Sequence, residues 1–175
     1  MHTMQFVPAI LLVATAAAAI SDLSTGRISN WLSYSLAALA FALYAAQGPI
    51  PGAIALLVMV GVLAASLPLF AFGLLRGGDV KMIVACSALV SYQYFWQFIL
   101  YTMFAGGLLA LFVAWRSNSL RRSFQSVGST LHPLLAGVVP RSLPFTTAKI
   151  PYGVAIFGGA SLTALAMTAI PALRL

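Results

Sequence analysis

An all-α, polytopic membrane bundle of about six transmembrane helices is the architecture expected of this chain, and three observations lead there. Of its 175 residues 62% are hydrophobic and 6% charged, against roughly 25% charged in an ordinary soluble domain, and the mean hydropathy is +1.02. The apolar residues gather into runs close to the ~20 residues that a membrane span needs. The charge is lopsided, with nine Lys and Arg against two acidic residues, and the cations fall between the runs. So few charges cannot cover the surface of a soluble fold this long, which excludes that class. A nucleic-acid partner would need a basic face on a soluble scaffold, so none is expected; the cations are read as topology anchors and as contacts to membrane lipid. A single integral-membrane domain over 1–175 is expected, with a basic cytoplasmic loop at about 116–150.

Six runs are read as spans: 4–20, 31–46, 52–74, 80–96, 97–115 and 151–172. The first is Ala-rich and ends at Ser21-Asp22; its head, Met1 to Gln5, has no Lys or Arg, which speaks against a cleaved signal peptide. Trp31 and Tyr34 open the second as interfacial aromatics, and Gly48-Pro49-Ile50-Pro51-Gly52 is a tight turn into the third. Arg76-Gly77-Gly78 closes the third, and Asp79 precedes the fourth. The border between the fourth and fifth is placed in the aromatic cluster from Ser91 to Gln97. Within 116–150 a short apolar piece around Pro133 is too short to span and reads as interfacial or re-entrant.

Six spans put the loops at 21–30, 75–81 and 116–150 on one side. Those loops hold Arg27, Arg76, Lys81, Arg116, Arg121, Arg122, Arg141 and Lys149, leaving only Arg174 for the other side. By the positive-inside rule the charged loops are cytoplasmic and both termini lie outside.

The same topology brings the only two acids, Asp22 and Asp79, to the cytoplasmic membrane face. An acid at the membrane edge is a functional candidate because desolvating it is costly. Two converging carboxylates can share one proton, the ionised one taking a proton from water while the neutral one polarises a carbonyl. Each also has a structural reading: Asp79 as a helix N-cap, Asp22 as the polar end of a helix. His2 and His132 are isolated and Cys86 is the single cysteine, so neither a metal site nor a cofactor is expected.

The residues around the acids carry a resemblance. Asp22-Leu23-Ser24-Thr25-Gly26-Arg27-Ile28-Ser29-Asn30 resembles the first signature of the type IV prepilin peptidases, an Asp followed after five residues by Ile-Pro-Asn. Gly77-Gly78-Asp79-Val80-Lys81-Met82 resembles their second, Gly-x-Gly-Asp-x-Lys, and Pro151-Tyr152-Gly153-Val154-Ala155 a third, at the start of the last span. Ser29 replaces the usual Pro, and Arg76 stands where the first Gly would be; both departures bear on loop shape. About ten residues join the first two spans, with no Cys-rich zinc segment, so the chain resembles the short branch that serves tight-adherence (Flp-type) pili. The resemblance implies a bacterial inner-membrane aspartic endopeptidase with Asp22 and Asp79 as its catalytic pair. It further implies prepilin or pseudopilin substrates, cut after a Gly between a short basic leader and an apolar helix. Asn30, Gly77, Gly78, Lys81, Pro151, Tyr152 and Gly153 are candidate site-shaping residues.

Two other classes fit the composition. A small proton- or cation-coupled transporter would use the acids as carriers, but it would place them near the midplane on broken helices. A membrane scaffold would use Gly106-Gly107 and Gly158-Gly159 as helix-packing positions.

Overall fold

The computed structural model describes residues 5–72, 74–116 and 151–172. Six helices form along them: α1 (Val7–Thr25), α2 (Asn30–Ala45), α3 (Pro49–Ala71), α4 (Gly77–Leu89), α5 (Ser91–Arg116) and α6 (Tyr152–Ala172), with no strand among the described residues. The basic segment expected at 116–150 lies, beyond Arg116, outside the described residues.

Four helices, α1, α3, α5 and α6, are long and apolar enough to cross a membrane. The other two are shorter, 16 residues in α2 and 13 in α4. At 1.5 Å per residue α4 reaches about 20 Å, less than the ~30 Å hydrocarbon core. Its shortness corrects the expected border between the fourth and fifth spans. The break falls at Val90, ahead of the aromatic cluster, so that Tyr92, Tyr94 and Trp96 belong to the first turns of the 26-residue α5.

Packing divides the bundle into two halves. In one, α6 packs along both α1 and α5; in the other, α2, α3 and α4 pack on one another; among the described residues far fewer contacts join the halves. The first half is built for close approach. A Cβ on Gly159 would fall 2.6 Å from both the Cα and the backbone nitrogen of Thr102, and one on Gly158 would fall 3.3 Å from the Ala105 Cβ. Small residues allow such proximity between membrane helices, where dispersion contacts replace the hydrophobic drive. In the second half α4 is the hub, with eight of its residues buried, among them Ala85, Cys86, Ser87 and Ala88. The Tyr44 hydroxyl donates to the Leu89 carbonyl oxygen at 2.9 Å, satisfying one of the free carbonyls at the end of α4. Large apolar side chains on α3 and α5, such as Leu57, Val60, Met103 and Phe104, point outward, as a lipid-facing surface requires.

Candidate active site

On α1 the buried positions Leu11, Thr15, Ala18 and Asp22 recur at helical spacing. Asp22 is therefore in phase with the core stripe. The helix runs beyond the expected end at Ser21-Asp22 to Thr25, which places Asp22 inside its last turn, 4% exposed. Gly26 ends the helix in the left-handed conformation at φ 69°, its N–H donating to the Asp22 carbonyl at 2.8 Å. Ser21 Oγ and Thr25 Oγ1 both donate to the Arg27 carbonyl oxygen, at 2.9 and 3.0 Å, folding the connection back onto the helix end.

Asp79 is 2% exposed. The expected N-cap position is taken by Arg76, which has extended backbone angles, and Asp79 is the third residue of α4. From there its Oδ2 reaches back to accept the Arg76 N–H at 3.0 Å, the side-chain half of a capping box. Burial pushes the Asp79 carboxyl up to about 6; the Arg76 N–H opposes this, the Asp22 charge adds to it, and the Arg76 charge opposes it.

The two acids, far apart along the chain, thus lie within electrostatic reach of each other at one end of the bundle, Asp22 from one half and Asp79 from the other. Each meets the start of a helix. Asp79 is in the first turn of α4, and Asp22 Oδ2 accepts the N–H of Gly153, the second residue of α6, at 2.8 Å. The first N–H groups of a helix have no intrahelical partner and carry partial positive charge, which suits a carboxylate.

The other candidates divide. Gly153 packs directly on Asp22: a Cβ there would lie 2.8 Å from the Asp22 Cβ and 3.0 Å from the Ala18 carbonyl oxygen. Gly78 lets α4 approach Ile28, whose carbonyl oxygen would be 3.2 Å from an added Cβ, whereas Gly77 has only Phe70 at 3.8 Å. Tyr152 is within electrostatic reach of Asp79 and Arg76. Pro151 precedes α6 and its carbonyl oxygen accepts the Val154 N–H. Lys81 and Asn30 partner each other instead, Nζ donating to Oδ1 at 3.0 Å, with Nζ 4.9 Å from the centre of the Tyr34 ring. This pair ties the start of α2 to α4.

Sequence reasoning left the role of Arg76 open. Its Nη1 donates to the Gly26 carbonyl oxygen at 2.9 Å and lies 3.9 Å from Asp22 Oδ1. Nothing in the local pattern around residue 76 points to a partner 50 positions earlier. Ile28 was legible only as part of a signature; its contact with Gly78 is what seats α4 against the α1–α2 connection.

Four membrane-length helices, with no strand among the described residues, make this a helical membrane protein. The chain belongs to the type IV leader peptidase family, whose family model matches residues 9–111, a segment that includes both acids. It is therefore a peptidase. The element at Pro151 lies beyond the matched segment, yet the structure brings its Gly153 onto Asp22. No curated protein and no solved structure matches the chain.

Proposed function

We propose that the protein is a membrane-embedded aspartic endopeptidase that removes the leader of type IV or Flp-type prepilins at the cytoplasmic face of the bacterial inner membrane. The observation that carries this reading is the placement of Asp22 and Asp79, the sole acids of the chain, as buried groups within electrostatic reach of each other at one end of the bundle, with Arg76 touching both.

Unlike environments assign unlike roles. Asp79, raised to about 6 mainly by burial, is the proton holder. Both groups around the Asp22 carboxylate, the Gly153 N–H and the Arg76 guanidinium, are donors, which an ionised carboxylate accommodates. In the proposed reaction Asp22 takes a proton from a water molecule whose oxygen adds to the scissile carbonyl, while Asp79 donates its proton to the carbonyl oxygen. The resulting gem-diol collapses as one of its hydroxyls returns a proton to Asp79, the C–N bond breaks and the proton on Asp22 passes to the leaving nitrogen, which restores both acids to their starting states. The products are a new carboxyl and a new amine. The substrate's apolar helix would stay in the bilayer beside the bundle, its basic leader crossing the acids.

The position of the acids at the bundle end, and not midway along it, favours hydrolysis over the transport alternative. Membranes carrying Asp22→Asn or Asp79→Asn are expected to cleave a synthetic prepilin, a basic leader ending in Gly and followed by an apolar helix, on the order of 10³-fold more slowly or worse. Cleavage by either variant at the rate of the parent protein would remove the mechanism. Asp-dependent ion flux without cleavage would establish the transporter.

A further inference from the structure

One residue touches both acids. The Arg76 N–H donates to Asp79 Oδ2 at 3.0 Å, while its side chain reaches across to the other half of the bundle, donating to the Gly26 carbonyl oxygen at 2.9 Å with Nη1 3.9 Å from Asp22 Oδ1. This is the single ion pair among the described residues. Its three partners lie in the last turn of α1, at the cap that follows and in the first turn of α4. Nη1 alone faces both acceptors, hydrogen-bonded to the Gly26 carbonyl and paired by charge with Asp22, so the hydrogen bond fixes where the positive charge stands beside the carboxylate. The side chain is 43% exposed, so the ion pair alone adds little stability; its importance lies in where it holds the carboxylates.

We propose that Arg76 is the positioning residue of the acid pair: its backbone holds Asp79, its guanidinium holds Asp22 and the Gly26 carbonyl, and together these set the carboxylates in register across the seam between the two halves. The proposal rests on the peptidase reading above. Its consequence is twofold. Loss of the side chain should misplace Asp22 relative to Asp79, which lowers turnover more than substrate affinity. Loss of its positive charge should move the Asp79 titration to higher pH, because that charge opposes the rise caused by burial.

Other charged and titratable groups around the site are few. Asp22 comes from α1, Arg27 adjoins Gly26 on the connection, and Tyr152 comes from α6. Lys81 of α4 is taken up by Asn30 and Tyr34 of α2, whose remaining titratable residue, Tyr44, bonds to Leu89 at the other end of α4. The α3 sequence has no titratable side chain, and α5 has Tyr92, Tyr94, Tyr101 and Arg116.

The test uses the full chain in proteoliposomes with the synthetic prepilin, measuring kcat and KM across pH for Arg76→Ala, Arg76→Gln and Arg76→Lys beside the two Asp→Asn variants. Arg76→Ala and Arg76→Gln should lose roughly 10- to 100-fold in kcat with KM changed less than about twofold. Their alkaline limb should move to higher pH. Arg76→Lys should keep the limb where it is and recover part of kcat. Gln matches the polar character of the site without the charge, so it reads the electrostatic effect even if Ala perturbs folding. An alkaline limb in Arg76→Gln superimposable on that of the parent would overturn the proposal, as would an unchanged kcat in all three variants. These outcomes leave the peptidase reading intact as long as both Asp→Asn variants are inactive; an active Asp→Asn variant overturns that reading, and this proposal with it.

Discussion

At the scale of single residues, the burial of Asp79 has consequences for both chemistry and stability. With its carboxyl raised to about 6, proteolysis that needs the proton on Asp79 should decline as pH rises through that value. The stability effect has a definite sign. The ordinary value is 3.8, so between 3.8 and about 6 the folded protein binds more protons than the unfolded chain. Stability is therefore greatest below this window and falls as pH rises through it. Asp79→Asn should flatten the dependence of the thermal midpoint on pH in that interval, a comparison accessible in detergent solution.

Glycine substitutions test the geometry from another side. Gly153→Ala places a methyl against the Asp22 Cβ and the Ala18 carbonyl, Gly78→Ala presses less severely on Ile28, and Gly77→Ala meets only Phe70 at ordinary contact distance. Gly153→Ala should cost about 1–3 kcal/mol with strong loss of cleavage, Gly78→Ala less, and Gly77→Ala should leave both unfolding and cleavage near the parent values. Comparable losses from Gly77→Ala and Gly153→Ala would contradict this packing.

At the scale of elements, the glycine pairs at 106–107 and 158–159 separate into working and idle members. Gly159 faces the Thr102 backbone, which has nowhere to move unless α5 and α6 part, whereas nothing lies within 4 Å of a Cβ on Gly107. Gly159→Ala should lower stability by about 1–3 kcal/mol, while Gly107→Ala should be neutral or gain up to about 1 kcal/mol from helix propensity. Thermal unfolding of the two variants decides the matter. Both pairs look alike in the sequence, because the facing helix alone distinguishes them. The break at Val90 was hidden for a related reason: 80–115 reads as nearly continuous apolar chain, and α4 ends within it, where Tyr44 of α2 takes the Leu89 carbonyl. The acids were legible because a membrane-type chain with only two of them draws attention to both. Arg76 was legible as a departure from the second signature, but its grip on Asp22 and Gly26 spans some 50 positions and depends on how the halves meet.

At the scale of the whole molecule, the segregation of cations predicts that the end holding Asp22 and Asp79 faces the cytoplasm. Cys86 is completely buried, so an introduced surface cysteine should be the reactive one among the described residues. In intact cells a membrane-impermeant maleimide should label Gln47→Cys, in the connection between α2 and α3, and spare Ser24→Cys near the acids until the membrane is opened. The reverse pattern would invert the topology. The helical class, and the placement of both acids at one end of the bundle, could be anticipated from composition, charge placement and motif order. The division into halves could not, since uniformly apolar helices carry little information about which neighbour each will choose.

That division gives the molecule a particular vulnerability. Among the described residues, Asp22 and Asp79 are each seated within their own three-helix group, and the sparse contacts between the groups, Arg76 among them, hold the carboxylates together. If the acids act as the proposed pair, heat or a change in the lateral pressure of the surrounding lipid should silence the protein by letting two intact pieces drift apart, with helical circular dichroism preserved as cleavage is lost.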